Sequence, residues 1–150
     1  MENKIKIRLR LIIIKNEKIL LMYDSIENFY FYVGGEMEFG ETLAECCTRE
    51  VHEECGLDIE FKFKKILYVR DFIMKEHNEH SLEMFVLGNL NKTDELEGKK
   101  DAEFDGKKWL TWVDINHLPE NLYPKTLSSK LLTDYKAKFP NSGEYVGAIE

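Results

Sequence analysis

The stretch GEMEFGETLAECCTREVHEECGL, residues 35–57, places acidic residues and one arginine at fixed distances after a glycine turn. These residues are Glu41, Arg49, Glu50, Glu53 and Glu54. If residues 41–55 are helical, Glu50, Glu53 and Glu54 lie at i, i+3 and i+4, with Cβ atoms about 5–6 Å apart on one face. Like charges in this arrangement destabilise a helix by about 0.2–0.5 kcal/mol per pair, so helix stability alone does not explain them. Carboxylate and carbonyl oxygens are the ligands that Mg²⁺ and similar hard cations prefer. The spacing therefore predicts a divalent metal site on this helix.

The residues around the glutamates predict the helix that must carry them. Thr42 and Glu45 have the spacing of a capping box, and Gly56 stands where a left-handed residue would end the helix. Apolar residues at spacing four predict the side that packs on the core, namely Leu43, Cys47 and Val51, helped by Ala44 and Cys55. The glutamates flank this buried stripe, so we expect them to face a cleft.

Apolar and basic residues alternate at the start of the chain, over residues 4–14, and predict a half-buried strand. We interpret its basic row as a solvated sheet face, with the alternative that Arg8 or Arg10 reaches an anionic ligand. Gly34 and Gly35 follow an aromatic strand and are expected to end it, because glycine permits positive φ and close approach of a ligand to the main chain.

The rest of the chain predicts further strands at residues 18–24, 29–33, 58–74, 81–90 and 109–113. It also predicts one further helix at residues 125–139. A polar stretch at 91–108 is expected to be a mobile loop, and the tail after residue 140 is expected to be loose. We find no linker or repeat, and we expect one domain over residues 1–150.

Composition excludes several classes of function. The net charge of −7 argues against a general nucleic-acid binder, although it permits a single nucleotide whose phosphates are held through a metal. Apolar runs fall short of the roughly 18 residues of a membrane span. Three cysteines cannot complete a disulfide framework, which fits a reducing cytoplasm. We expect a cytoplasmic protein that acts on a small molecule.

The stretch 35–57 resembles the signature of the Nudix hydrolase family (MutT-like), GX5EX7REUXEEXGU, where U is apolar. Every specified position matches, from Gly35 through Glu41 and Arg49 to Leu57. With ordinary residue frequencies, a chance match in a chain of this length has a probability on the order of 10⁻⁵. The aromatic strand before Gly34 also looks like the family. Val33 departs from the family pattern, since many members have proline at this position. This difference makes the assignment of a substrate less specific.

The resemblance implies an α/β fold, a Nudix-type α/β/α sandwich around a mixed, curved sheet. It also implies Mg²⁺- or Mn²⁺-dependent hydrolysis of a nucleoside diphosphate linked to another moiety, such as a nucleoside triphosphate or ADP-ribose. Carried over position by position, Glu50, Glu53 and Glu54 are metal ligands together with the main-chain carbonyl of Gly35. By analogy with the family, a homodimer is also allowed.

The resemblance assigns roles to the other signature residues as well. Glu50 is expected to activate the attacking water, and Glu103 in the 91–108 stretch is the alternative base or ligand. Arg49 would hold the glutamates by ion pairing, and Glu41 would brace the junction between loop and helix. Arg8, Arg10 and Glu103 are the candidates for contact with substrate.

Three alternatives compete with a hydrolase. A Nudix-like domain could sense a nucleotide without turnover, although such domains usually tolerate loss of signature glutamates. The same fold could carry an isomerase of an isoprenoid diphosphate, for which we identify no catalytic residues. Zinc could bind Cys46, Cys47, Cys55 and His52, but Cys47 belongs to the buried stripe and the C-x₂-C spacing of zinc sites is absent.

Overall fold

A computed structural model describes residues 3–150, so the first two residues of the predicted domain lie outside the described residues. The elements follow in the order β1 (Lys6–Ile12), β2 (Ile14–Lys15), β3 (Lys18–Asp24), β4 (Phe29–Glu36), α1 (Leu43–Glu54), β5 (Phe61–Met74), β6 (Glu79–Leu90), β7 (Lys108–Asp114), α2 (Leu127–Lys136) and β8 (Glu144–Gly147). Neither of the two described α-helices has the length and apolar character needed to span a bilayer.

The strands form one mixed sheet with the order β2-β3-β4-β1-β6-β5-β8, and β7 pairs with β3 off this path. The pairs β1–β6 and β5–β8 are parallel, and the other pairs are antiparallel. Asn16 and Glu17 both have positive φ and turn the chain between β2 and β3.

Each face of the sheet carries its own apolar core, one under α1 and one under α2. On the α1 side, Cys46, Cys47 and Val51 pack with Leu9 and Leu11 of β1. On the α2 side, the buried residues are Tyr32, Tyr68, Phe85, Leu127 and Leu131, among others. This arrangement confirms the predicted α/β/α sandwich with a mixed sheet.

The buried side of α1 differs from the prediction at one position. Ala44 is exposed, because it lies in the first turn on the side away from the sheet, and Cys46 is fully buried in the stripe. The capping box at Thr42 and Glu45 is present as predicted, and Gly56 has φ 144° just after the helix. The buried stripe therefore fixes the rotation of α1 about its axis, and the capping box and Gly56 mark where the helix begins and ends.

The two glycines do not end β4, which was the expectation for them. The strand continues to Glu36, and Gly34 and Gly35 lie opposite Arg10 and Leu9 of β1. Gly34 has φ 137°, and a Cβ there would lie only 2.0 Å from the carbonyl oxygen of Leu9. Glycine is needed at this point because β4 passes very close to β1, not because the strand stops.

The stretch 91–108, predicted to be a mobile loop, consists mostly of turns and bends, but it is anchored to the rest of the fold. Leu96 is buried in the α1-side core, and Gly98 donates to the carbonyl of Leu110 while Leu110 donates to that of Lys99. The segment ends in a 3₁₀ turn over Ala102–Phe104. One buried leucine and a short pairing with β7 hold a stretch whose composition looks entirely polar.

The tail after residue 140, expected to be loose, forms β8 and pairs in parallel with β5. Val146 and Ile149 pack against the α2-side core. Four residues are too few to show a strand pattern on their own, and the open edge of β5 supplies the partner.

The predicted strand at 58–74 begins at Phe61 and contains two irregularities in its pairing with β6.

Candidate functional site

Arg49 connects α1 to the loop before it. Its guanidinium donates to both carboxylate oxygens of Glu41, at 2.7 and 3.0 Å, and to the main-chain carbonyl of Glu36 at 2.9 Å. The same group donates to Glu50 at 3.0 Å and to Glu53 at 3.3 Å. Hydrogen bonds from Arg49 hold the pKa of Glu41 at about 2, well below its usual range. Arg49 is therefore the common partner of three signature glutamates.

Glu50 lies against the main chain of β4. The residue is buried, and a Cβ on Gly35 would lie 2.6 Å from its Oε1 atom. Only glycine leaves this space for a carboxylate at the backbone. Burial raises the pKa of Glu50, against the lowering effect of the charge on Arg49.

Glu54 turns its carboxylate toward β4 and accepts a hydrogen bond from the main-chain N–H of Gly34 at 3.0 Å. The residue as a whole is partly exposed, but its carboxylate lies among protein atoms, and this burial raises its pKa to about 8. The negative charge of Glu50 raises it further, while the charge of Arg10 lowers it. Two carboxylates in one poorly hydrated place favour a cation between or beside them.

The helix glutamates fit a hard divalent cation by the chemistry of their donors. Glu50, Glu53, Glu54 and the carbonyl of Gly35 supply oxygen atoms only, from one helix face and the strand beside it. The Glu50 carboxylate lies directly against the main chain of Gly35, so the helix face and the strand meet at this point. Within residues 3–150, no three His, Cys, Asp or Glu side chains are already gathered as a metal cluster.

The cysteines give no support to zinc. Cys46, Cys47 and Cys55 are all buried and free, and burial raises the pKa of each to about 12. Zinc binds thiolates, and these thiols stay protonated at neutral pH.

The glutamates open into a cleft of about 1000 Å³, which Arg8, Arg10 and Glu103 also line. Glu103 lies on the 3₁₀ turn, where it is exposed. The sequence analysis missed Asp101, which lines the same cleft and whose charge contributes to the raised pKa of Glu54. Its carboxylate accepts from the N–H of Glu103 at 3.0 Å. A capping aspartate of this kind is a common loop feature, so no sequence signal marks it for the site.

Arg8 and Arg10 do not form the solvated face that the alternation suggests. Arg8 pairs with Glu79 at 2.9 Å, and Arg10 pairs with Glu83 at 3.1 Å. Arg10 also donates to the main-chain carbonyls of Tyr32 and Gly34. Both arginines are partly buried because β1 lies in the middle of the sheet, next to the acidic residues of β6. Contact of either one with substrate stays a prediction.

A second cleft of about 1160 Å³ adjoins the first. Its walls include the aromatic side chains Phe29, Phe31, Phe72 and Tyr123. Four residues line both clefts, namely Arg8, Arg10, Phe31 and Lys108. Three of these four residues are basic, and each forms an ion pair: Arg8 with Glu79, Arg10 with Glu83 and Lys108 with Asp24. The first cleft is lined by the glutamates of α1, and the second combines aromatic and charged side chains.

The chain matches the NUDIX domain family over residues 6–131. Its fold is similar to that of a NUDIX hydrolase from Nitrosomonas europaea, with 15% identity, a TM-score of 0.69, and coverage of 98% of this chain and 81% of that one. An ADP-ribose pyrophosphatase from Streptococcus suis is 19% identical, with a TM-score of 0.64 and coverage of 95% and 98%. A UDP-X diphosphatase is 21% identical, with a TM-score of 0.70 and coverage of 97% and 68%. At these identities the solved structures show a common fold.

Proposed function

The chain belongs to the Nudix family of hydrolases, which act on phosphoanhydride bonds, and we propose that it is a Mg²⁺- or Mn²⁺-dependent pyrophosphohydrolase. Its substrate on this proposal is a nucleoside diphosphate linked to another moiety. The observation that carries the proposal is the acidic face of α1, where Glu50 and Glu54 lie against Gly35 and Gly34 in a cleft.

Charge explains why a cation is needed for binding as well as for catalysis. The chain carries a net charge of −7, and the first cleft presents several carboxylates to its contents. Two like unit charges 4 Å apart repel by about 4 kcal/mol at an effective dielectric constant of 20. A pyrophosphate would therefore be repelled from this cleft unless a cation compensates it. A bound divalent ion supplies that charge and lowers the pKa of water.

The residues of the site then have distinct tasks. Glu50, Glu53 and Glu54, with the carbonyl of Gly35, would hold the cation. Glu50 takes a proton from the attacking water, and Glu103 is the alternative base because it lines the same cleft.

Arg49 and Glu41 act through the others. Their two-pronged contact, at 2.7 and 3.0 Å, ties α1 to the loop before it and keeps the glutamates at a fixed distance from β4.

The two clefts support a substrate with distinct parts. On this proposal the phosphates lie beside Arg8, Arg10 and Lys108, which line both clefts, and the nucleoside lies against the aromatic side chains of the second cleft. The names of two structural neighbours, an ADP-ribose pyrophosphatase and a UDP-X diphosphatase, are compatible with this class. We do not choose among nucleoside triphosphates, ADP-ribose and related diphosphates on these grounds.

The test is a substrate panel with and without Mg²⁺ or Mn²⁺. It contains nucleoside triphosphates, ADP-ribose, sugar nucleotides and dinucleoside polyphosphates, and the products are identified by chromatography. We expect metal-dependent cleavage of a phosphoanhydride bond in at least one member. Glu53→Gln and Glu54→Gln should each lower turnover by about 100-fold or more, which corresponds to about 3 kcal/mol of barrier.

The matched control is Glu60→Gln, which removes the same charge from an exposed residue outside the cleft and should leave turnover unchanged. Wild-type turnover in both cleft variants would overturn the mechanism. No turnover across the panel, combined with thermal stabilisation by a nucleotide, would favour the sensing domain instead.

We further propose a cytoplasmic location, because Cys46, Cys47 and Cys55 are all free and buried. We expect no stable nucleic-acid binding, and a homodimer stays a prediction from the family.

A further inference from the structure

Glu83 on β6 is a buried carboxylate between two arginines. Its Oε2 atom accepts from Nε of Arg10 at 3.1 Å, and its Oε1 atom accepts from Nε of Arg70 at 2.7 Å. Glu83 is 3% exposed and Arg70 is 6% exposed. Despite burial, the charges of Arg10 and Arg70 keep the pKa of Glu83 below its usual value. Glu83 is thus an ionised group held inside the sheet by two opposite charges.

Arg10 links this pair to the part of β4 that lies against the proposed metal ligands. Its Nη1 atom donates to the carbonyls of Tyr32, at 3.1 Å, and Gly34, at 3.0 Å. The N–H of Gly34 in turn donates to Glu54 at 3.0 Å. Hydrogen bonds therefore connect Glu83 to Arg10 and Arg10 to the carbonyl of Gly34, and the N–H of the same glycine holds Glu54 of α1.

We infer that Glu83 is a positioning residue for the cation site, and this inference rests on the proposed function. Glu83 fixes the planar guanidinium of Arg10, and Arg10 holds the Tyr32–Val33 and Gly34–Gly35 peptide groups through their carbonyls. The peptide between these two carries the Gly34 N–H that holds Glu54, and the Gly35 carbonyl proposed as a ligand follows directly after them. A guanidinium that makes several hydrogen bonds in one plane is well suited to this task, because its donors keep fixed relative directions.

Two neighbouring ion pairs serve as controls that distinguish this positioning role from a general contribution to stability. Glu79 pairs with Arg8 between the same two strands, β6 and β1, but the hydrogen bonds of Arg8 go to Glu79 and Ser81. Arg70, on the other side of Glu83, contacts the carbonyl of Ile149 and the ring of Phe72. Changes at Glu79 and Arg70 therefore disturb similar ion pairs without touching the carbonyl of Gly34.

The experiment measures Mn²⁺ binding to the full chain in the absence of nucleotide, by electron paramagnetic resonance of free Mn²⁺. Substitution of residues that orient metal ligands typically weakens metal affinity by about 10- to 100-fold, and we expect about tenfold for Glu83→Gln. Glu79→Gln and Arg70→Lys should stay within about twofold of the wild type, because the bonds of Arg10 to Glu83 and Gly34 remain.

Arg10→Lys tests the same path without removing the buried carboxylate. Lysine keeps the positive charge but lacks the planar set of donors, so Mn²⁺ affinity should fall by about tenfold as well. Circular dichroism and metal-free melting curves establish that each variant is folded at the assay temperature. If Glu83→Gln does not fold, Arg10→Lys decides the matter alone.

Three results would overturn the inference. The first is wild-type Mn²⁺ affinity in Arg10→Lys, or in folded Glu83→Gln. The second is a loss of affinity that follows the melting temperature across all four variants, Arg70→Lys and Glu79→Gln included. The third is a wild-type protein that binds no Mn²⁺, which would reject the proposed function together with the inference. In the first two cases the wild type still binds metal, so the proposed function stands.

Discussion

Gly34 and Gly35 are adjacent, yet substitution by alanine should destabilise the protein much more at Gly34 than at Gly35. A Cβ on Gly34 would lie 2.0 Å from the carbonyl oxygen of Leu9, and its φ of 137° is unfavourable for any side chain. For a Cβ on Gly35 the nearest atoms would be those of the Glu50 carboxylate, the closest at 2.6 Å. The first obstacle is backbone inside a sheet, and the second is the end of a flexible side chain.

The magnitudes follow from these two obstacles. Backbone strain of about 1–3 kcal/mol and overpacking of about 1–3 kcal/mol combine in Gly34→Ala, so we expect a loss of about 2–6 kcal/mol in the free energy of unfolding. Gly35→Ala should cost less, about 1–2 kcal/mol, because Glu50 can turn away and lose its hydrogen bond to Arg49. Turnover by Gly35→Ala should nevertheless fall by about 100-fold, a barrier increase of about 3 kcal/mol, because Glu50 is displaced from its place against the main chain of Gly35.

The assay is urea unfolding of both variants together with turnover on the best substrate of the panel. A chain of this size shifts its melting temperature by about 2–4 °C per kcal/mol, so thermal scans give a second estimate. The reasoning is refuted if Gly34→Ala is as stable as the wild type, or if Gly35→Ala loses stability but keeps full turnover.

Three further predictions concern Arg49, Glu79 and the C-terminal strand. Arg49→Lys should lower the free energy of unfolding by about 1–3 kcal/mol in urea, because lysine cannot pair with both oxygens of Glu41; equal stability would contradict this account. Burial opposes ionisation of Glu79, but hydrogen bonds from Ser81, Arg8 and Lys6 outweigh it and bring its pKa from 4.5 to about 2. The stabilisation from Glu79 is therefore fully present above pH 4.5, is lost as the pH falls toward 2, and amounts to at most about 3 kcal/mol. Glu79→Gln should flatten the dependence of the free energy of unfolding on pH over that range. An unchanged slope would contradict this role of Glu79. Removal of the residues after Pro140 should cost about 2 kcal/mol in thermal unfolding, because Val146 and Ile149 no longer cover the α2-side core; an unchanged melting temperature would show that β8 adds nothing to stability.

Local patterns in the sequence were enough for the parts of the site that lie on one element. The capping box at Thr42, the buried stripe through Cys47 and Val51, and the spacing of the glutamates all act within α1. Interactions between residues three or four apart on a helix are visible in any sequence, because the helical repeat fixes their distance. The fold class followed from the same kind of pattern together with the Nudix resemblance.

The surroundings of the site depend on strand register, which local patterns do not reveal. Arg8 and Glu79 are 71 residues apart, and Arg10 and Glu83 are 73 apart. They meet only because β1 and β6 pair in parallel, in a register that places Arg8 opposite Glu83 and Lys6 opposite Ser81. An alternating basic row looks solvated until its neighbouring strand is known, because the same alternation fits either situation.

The sequence by itself determined the acidic helix face of Glu50, Glu53 and Glu54, since its geometry needs only the helical repeat. The tertiary structure alone decided what that face meets: the main chain of Gly34 and Gly35 inside β4, and Asp101 across the cleft. The reason is that a carboxylate's pKa and its partners depend on burial and on charges from distant segments, and these are properties of the packed chain.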